Sequence, residues 1–137
     1  MDSFDTPADF LRDLLNYRDS SRAEVLSRVT DFLVALIGER RGNAELHRLE
    51  RWATHAQAGD YRALAIPGFA IGGFQYLRML FGANTTKPDV HIVRYVATAI
   101  GGQCSAVKAL SLLEHAAQRR GIRLRDLDTT IWENSAR

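Results

Sequence analysis

The chain predicts an all-α fold on three observations. Apolar residues recur at three- and four-residue spacing through most of its length, no stretch alternates as a half-buried strand would, and a glycine or a capping residue stands where the helical period breaks. Residues 1–137 read as a single compact multi-helix domain. With 46% of 137 residues hydrophobic and 25% charged, and with no repeat or low-complexity segment, the composition suits one globular unit with a core of its own.

The elements follow in order. Thr6-Pro7-Ala8-Asp9 is a helix start, a cap followed by proline, and Phe10, Leu11, Leu14 and Leu15 give a first helix its apolar stripe before it ends near residues 16–19. Ser20 or Ser21 caps a second, in which Val25, Leu26, Val29, Phe32, Leu33, Leu36 and Ile37 keep the period until Gly42 stops it. Asn43 caps a third, carrying Leu46, Leu49, Trp52, Ala53 and Ala56, and Gly59 ends it. Asp60 opens a short fourth helix through Ile66. There Pro67 disfavours helical backbone at Ile66, and Gly68 tolerates a positive φ, so the chain must turn.

Phe74–Phe81 and Pro88–Ile100 make two more helices around the polar turn Gly82–Thr86. Ser105–Arg120 is amphipathic, with Val107, Leu110, Leu113 and Ala117 on one side and Gly121 as its stop. Asp126 to about Asn134 forms a last turn or two.

Charge and cysteine content bound the function. A formal net charge of +2 with a sequence pI near 9.0 permits nucleic acid as a partner without demanding it. The single cysteine, Cys104, excludes an internal disulfide and fits a reducing compartment. Neither a signal-like apolar region after Met1 nor a membrane-length apolar run is present, so a soluble cytoplasmic protein without membrane contact is expected.

The most informative stretch is Ile66 to Val96. A helix beginning near Gly72, just after the Pro67-Gly68 turn, would point its unpaired N–H groups and positive dipole end out of that turn, where a phosphate could sit. The plainer alternative is that Pro67-Gly68 and Gly72-Gly73 only join two packed helices closely. Lys87-Pro88-Asp89 places proline at a first helical position and the carboxylate in the first turn, where the dipole favours its ionised form. That placement alone would account for an aspartate.

In spacing and residue type this stretch resembles the core of the helix-hairpin-helix (HhH-GPD) DNA glycosylase superfamily, in an endonuclease III-like but truncated and divergent form. Ile66, Pro67, Gly68 and Phe69 match the opening of the hairpin, Phe81-Gly82 its closing Phe-Gly, and Pro88-Asp89-Val90-His91-Ile92-Val93-Arg94 the loop and helix that carry the family's aspartate. Ala70 stands where a second hairpin glycine is expected, and Gly72 where bifunctional members carry a lysine. The four-cysteine iron-sulfur site of endonuclease III-like relatives is excluded by cysteine count.

The resemblance implies a helix-hairpin-helix over about 60–82 and an aspartate loop with its following helix over 83–101. It implies Asp89 as the catalytic residue of a monofunctional glycosylase, stabilising positive charge at C1′ and orienting or deprotonating the attacking water. Pro67, Gly68, Ala70, Gly72, Gly73, Lys87, His91 and Arg94 would contact double-stranded DNA; no cofactor or metal is called for. His91, two positions after Asp89, points to a different helix face and reads as a buried or rim residue. Arg94 can reach a phosphate or a carboxylate.

Among the remaining candidates, Trp52 and Trp132 suit core packing more than base stacking. Gln75 and Tyr76 could enter a pocket, although Tyr76, Met79 and Leu80 also suit a packed face. Arg119, Arg120, Arg123 and Arg125 are the densest basic group, and acidic neighbours dilute the clusters at Arg40-Arg41 and Arg48-Arg51. Only 66 residues run through Ile66, fewer than such a glycosylase domain normally carries ahead of its hairpin, so the base pocket is expected to lack some walls unless a homodimer supplies them. Besides the glycosylase, two readings stay open: a non-catalytic DNA-binding module using the same hairpin, and an all-helical homo-oligomeric interaction protein.

Overall fold

In the computed structural model the described residues are 20–135, and all their regular structure is helical. The helices are α1 (Ser20–Ile37), α2 (Asn43–His55), α3 (Tyr61–Leu64), α4 (Ile71–Leu80), α5 (Val90–Ile100), α6 (Ala106–Arg120) and α7 (Leu124–Ser135), with a 3₁₀ turn, Ala58–Asp60, leading into α3. The first helix expected from Thr6 lies outside the described residues.

Several boundaries move for identifiable reasons. Helix α1 stops at Ile37, because Gly38 takes a left-handed φ of 62° and the Arg40 side chain donates to the Ile37 carbonyl at 3.1 Å, leaving Gly42 to cap α2 instead. Helix α2 ends at His55, well before Gly59, and Asp60 then closes a capping box by accepting from the Gln57 N–H at 2.8 Å. Helix α3 is a single turn that ends two residues before Ile66, where Ala65 is left-handed at φ 49°. The Phe69 N–H donates to the Ile66 carbonyl at 3.1 Å across a turn whose third residue, Gly68, has φ 81°.

Helix α4 starts at Ile71, three residues earlier than the apolar pattern indicated. Gly73 explains the close approach there: a Cβ at that position would lie 2.9 Å from the Phe69 ring. Ser105 caps α6 by accepting from the Lys108 N–H at 3.1 Å, but Val107 is exposed while Leu110, Leu113 and Ala117 are buried. The last helix is a full twelve residues. Its first turn is held by an Arg123–Asp126 pair at 2.8 Å and by Asn84 Oδ1, which accepts from the Arg125 N–H at 3.2 Å.

Two apolar layers result. Ile92 and Val96 of α5 meet Ala109, Leu110, Leu113 and Ala117 of α6 and Leu124 and Ile131 of α7. Helices α1, α2 and α4 meet on aromatic side chains: Trp52 packs edge-on to Phe32 at 5.4 Å, Phe74 at 5.8 Å and Phe81 at 6.4 Å.

A buried polar seam runs between them. Arg78 Nε donates to the Ala53 carbonyl at 2.9 Å and Arg78 Nη1 to Gln75 Oε1 at 2.7 Å. Gln75 Nε2 donates in turn to Thr85 Oγ1 at 2.7 Å and the Thr86 carbonyl at 3.3 Å, and Thr86 Oγ1 to Asp128 Oδ1. Burial pushes the Arg78 guanidinium below its ordinary value, while Asp60 and Glu114 push it back up. Among the described residues no buried side-chain nitrogen or oxygen lacks a hydrogen-bond partner.

Ile92 is fully buried, so Ile92→Ala should cost about 2–5 kcal/mol in urea unfolding. Gly68→Ala should cost about 1–3 kcal/mol, since its φ is left-handed and a Cβ would lie 3.3 Å from Val25 Cγ2; equal urea midpoints for variant and parent would refute this account of the turn.

Candidate functional site

The segment Thr85–His91 is where buried structure reaches the surface. Thr85, Thr86 and Pro88 are buried, and the Lys87 and Asp89 side chains are about a quarter exposed. The Asp89 N–H donates to the Lys87 carbonyl at 2.7 Å, folding Lys87-Pro88-Asp89 into a three-residue turn.

Asp89 is therefore the N-cap of α5 and not, as the sequence indicated, a residue of its first turn: it is extended (φ −78°, ψ −178°), and helical backbone begins at Val90. Its Oδ1 accepts from the His91 and Ile92 N–H groups at 3.0 Å each. Two backbone donors thus fix one oxygen. The other oxygen, Oδ2, lies 3.4 Å from Trp132 Nε1 and 3.7 Å from Lys87 Nζ.

Lys87 is held by more than charge. Its ammonium lies 4.8 Å from the Tyr76 ring centre and 5.5 Å from that of Trp132, so a carboxylate and two aromatic faces surround one cation. The half-buried His91 ring stacks obliquely against Trp132 at 5.3 Å. Beyond it a surface cavity of about 370 Å³ is lined by His91, Arg94, Tyr95, Thr98, Ala99 and Ser135. Arg94 is exposed at its edge.

The structure brings together only some of the residues the sequence singled out. Gly72, at the start of α4, faces the loop, since a Cβ there would meet the Pro88 carbonyl at 3.9 Å. Gly72, Lys87, Asp89 and His91 thus share one neighbourhood although nearly twenty residues separate its ends. Pro67, Gly68 and Ala70 line a separate shallow hollow with Arg62, and Gly73 lies under Phe69. Ala70 caps α4 without a side-chain hydrogen bond, so the first amides of that helix have no side chain covering them from its cap.

Five residues acquire a place that sequence reasoning did not assign. Gln75 is fully buried in the seam and fills no pocket, and Tyr76 and Leu80 are exposed, so they form no packed face. Trp132 is 41% exposed beside Asp89 and is not a core residue. Asp128 is buried under the loop, where its Oδ1 also accepts from the Lys87 N–H at 3.3 Å. The usable signal for the last two was their four-residue spacing within a helix, which puts both on one face. Among the described residues, no three His, Cys, Asp or Glu side chains are grouped to hold a metal ion, and no helix is long and apolar enough to cross a membrane.

The fold and the site together define an all-helical domain with a partly exposed carboxylate that caps a helix at the end of a loop. The chain belongs to a family described as a domain of unknown function, DUF8548, whose model matches residues 16–136. No curated protein and no solved structure matches it.

Asn caps a helix about as well as Asp, whereas Ala does not. Asp89→Ala should therefore lose about 1 kcal/mol in urea unfolding and Asp89→Asn only a few tenths. A loss of the same size in both would mean that the charge, and not the cap, holds the loop.

Proposed function

We propose that this protein binds duplex DNA through a helix-hairpin-helix built from α3, the Pro67-Gly68 turn and α4, and acts as a monofunctional DNA glycosylase with Asp89 as its catalytic carboxylate. The observation that carries this reading is the closeness of Gly72 to the Asp89 loop. Gly72 of the hairpin half and the Asp89 loop, separate in sequence, lie side by side, with Oδ2 beside the Trp132 indole and the Lys87 ammonium.

In this reading a phosphate lies against the α4 N-terminus near Gly68 and Ala70, with Arg62 at the edge of the same hollow. Lys87 and Arg94 contact neighbouring phosphates. A flipped nucleotide presents its sugar to Asp89. As the bond from C1′ to the base breaks, the ionised carboxylate stabilises the positive charge on the sugar; water then attacks C1′ and gives its proton to Asp89. Glycine at position 72 supplies no amine there, so the product is an abasic site in an uncut strand.

One observation favours a second reading, a backbone-binding module without catalysis: the Lys87 ammonium lies on the open side of the carboxylate. Asp89→Asn separates the two, because it removes the charge and keeps the cap. The glycosylase reading expects that variant to lose base release from lesion-containing duplexes while duplex affinity hardly changes. It also expects the parent protein to bind a duplex carrying an abasic-site mimic more tightly than undamaged duplex at two salt concentrations. Equal, salt-sensitive binding of both duplexes with no base released would support the module. No binding at low salt, together with a stable dimer, would support a homo-oligomeric interaction protein.

A further inference from the structure

The loop that carries Asp89 lies along one face of α7. Asn84 Oδ1 accepts from the Arg125 N–H at 3.2 Å, Asp128 Oδ1 accepts from the Thr86 hydroxyl and from the Lys87 N–H at 3.3 Å, and Trp132 Nε1 donates to Asp89 Oδ2 at 3.4 Å. Arg125, Asp128 and Trp132 are spaced at i, i+3 and i+7, which in a helix of 3.6 residues per turn is a single stripe. Loop and helix advance together, residue 84 on 125, residues 86 and 87 on 128, residue 89 on 132.

The three contacts differ in what they fix. The first caps α7, and the second holds the backbone just before the turn Lys87-Pro88-Asp89. Only the third touches the carboxylate, and it does so at the oxygen that the helix cap leaves open. Two backbone donors on Oδ1 fix where the carboxylate sits but leave it free to rock about that oxygen. The indole N–H on Oδ2 removes this freedom. Trp132 also presents its ring to Lys87, so the ammonium and the indole approach Oδ2 together.

We propose that α7 is the template of the Asp89 site and that Trp132 is its positioning residue, orienting Oδ2 through the indole N–H, with Asp128 fixing the loop beneath. The catalytic part of this inference rests on the glycosylase reading. The positioning part does not, because the contact can be observed without a substrate.

Two measurements on the full chain test it. The protein has two tryptophans, so its indole N–H signals in a proton–nitrogen NMR spectrum are two, and Trp52 serves as the internal reference. Asp89→Ser keeps a good helix cap but is too short to meet the indole. In that variant the Trp132 N–H signal should move upfield and the Trp52 signal stay in place; a Trp132 signal unchanged from the parent overturns the positioning role.

The second measurement is kinetic. Trp132→Phe keeps an aromatic ring on the side of His91 and Lys87 and removes the N–H donor with the five-membered ring that carries it, so kcat for base release should fall about tenfold with duplex affinity and melting temperature nearly unchanged. In a parent protein that releases base, a kcat within about twofold of the parent's overturns the inference, since a loss that small is worth less than one such hydrogen bond. If the parent releases no base, the glycosylase reading fails by itself, and the NMR comparison still decides whether Trp132 positions Asp89.

Discussion

The relation between the two apolar layers depends on the hydrogen-bonded side chains that run from the Ala53 carbonyl through Arg78, Gln75 and Thr86 to Asp128. Apolar contacts alone tolerate sliding, because burial is non-directional. A chain of directional bonds between α2, α4, the loop before α5, and α7 permits one arrangement. The buried guanidinium makes this constraint strong: Arg78 is 8% exposed, and a charge there without its acceptors would be costly. The Asp89 site inherits its geometry from the last step of that chain, where Asp128 also receives the Lys87 N–H.

Much of this fold was readable from the amino acids, for reasons that can be located. The apolar period over Leu110 to Ala117 reflects a face that packs, and caps such as Ser105 act within their own helix; over Val25 to Ile37 the same period marks a face that is only partly covered, with Phe32 against Trp52 and Leu26 exposed. The boundaries that moved did so where the deciding contact was local but ambiguous, as at Gly38 against Gly42, or came from elsewhere, as with Phe69 resting on Gly73. Helix α7 was underestimated because its first turn is completed by Asn84, forty-one residues away, and no periodicity in 124–135 encodes that partner.

The site was legible to a different degree. Asp89 and Lys87 stood out because their residue types and spacing carry meaning within one short segment, and Gly72 because its lack of a side chain is informative beside a turn. Asp128 did not stand out at all, and Trp132 and Tyr76 were named without the places they take, since what these residues do is defined by a loop they meet only in three dimensions. A tryptophan in an amphipathic helix looks the same in sequence whether it faces a core or a carboxylate.

The matched advance of loop and helix has an evolutionary corollary. One residue inserted or deleted between Arg125 and Trp132 would rotate everything beyond it by about 100°, carrying the indole away from the carboxylate. Substitutions in this segment can accumulate one at a time, whereas a change of length would have to be answered at once in the loop. The stretch from Asn84 to Asp89 and the stretch from Arg125 to Trp132 are thus bound to a common measure, and descendants of this chain can vary its letters far more freely than its count.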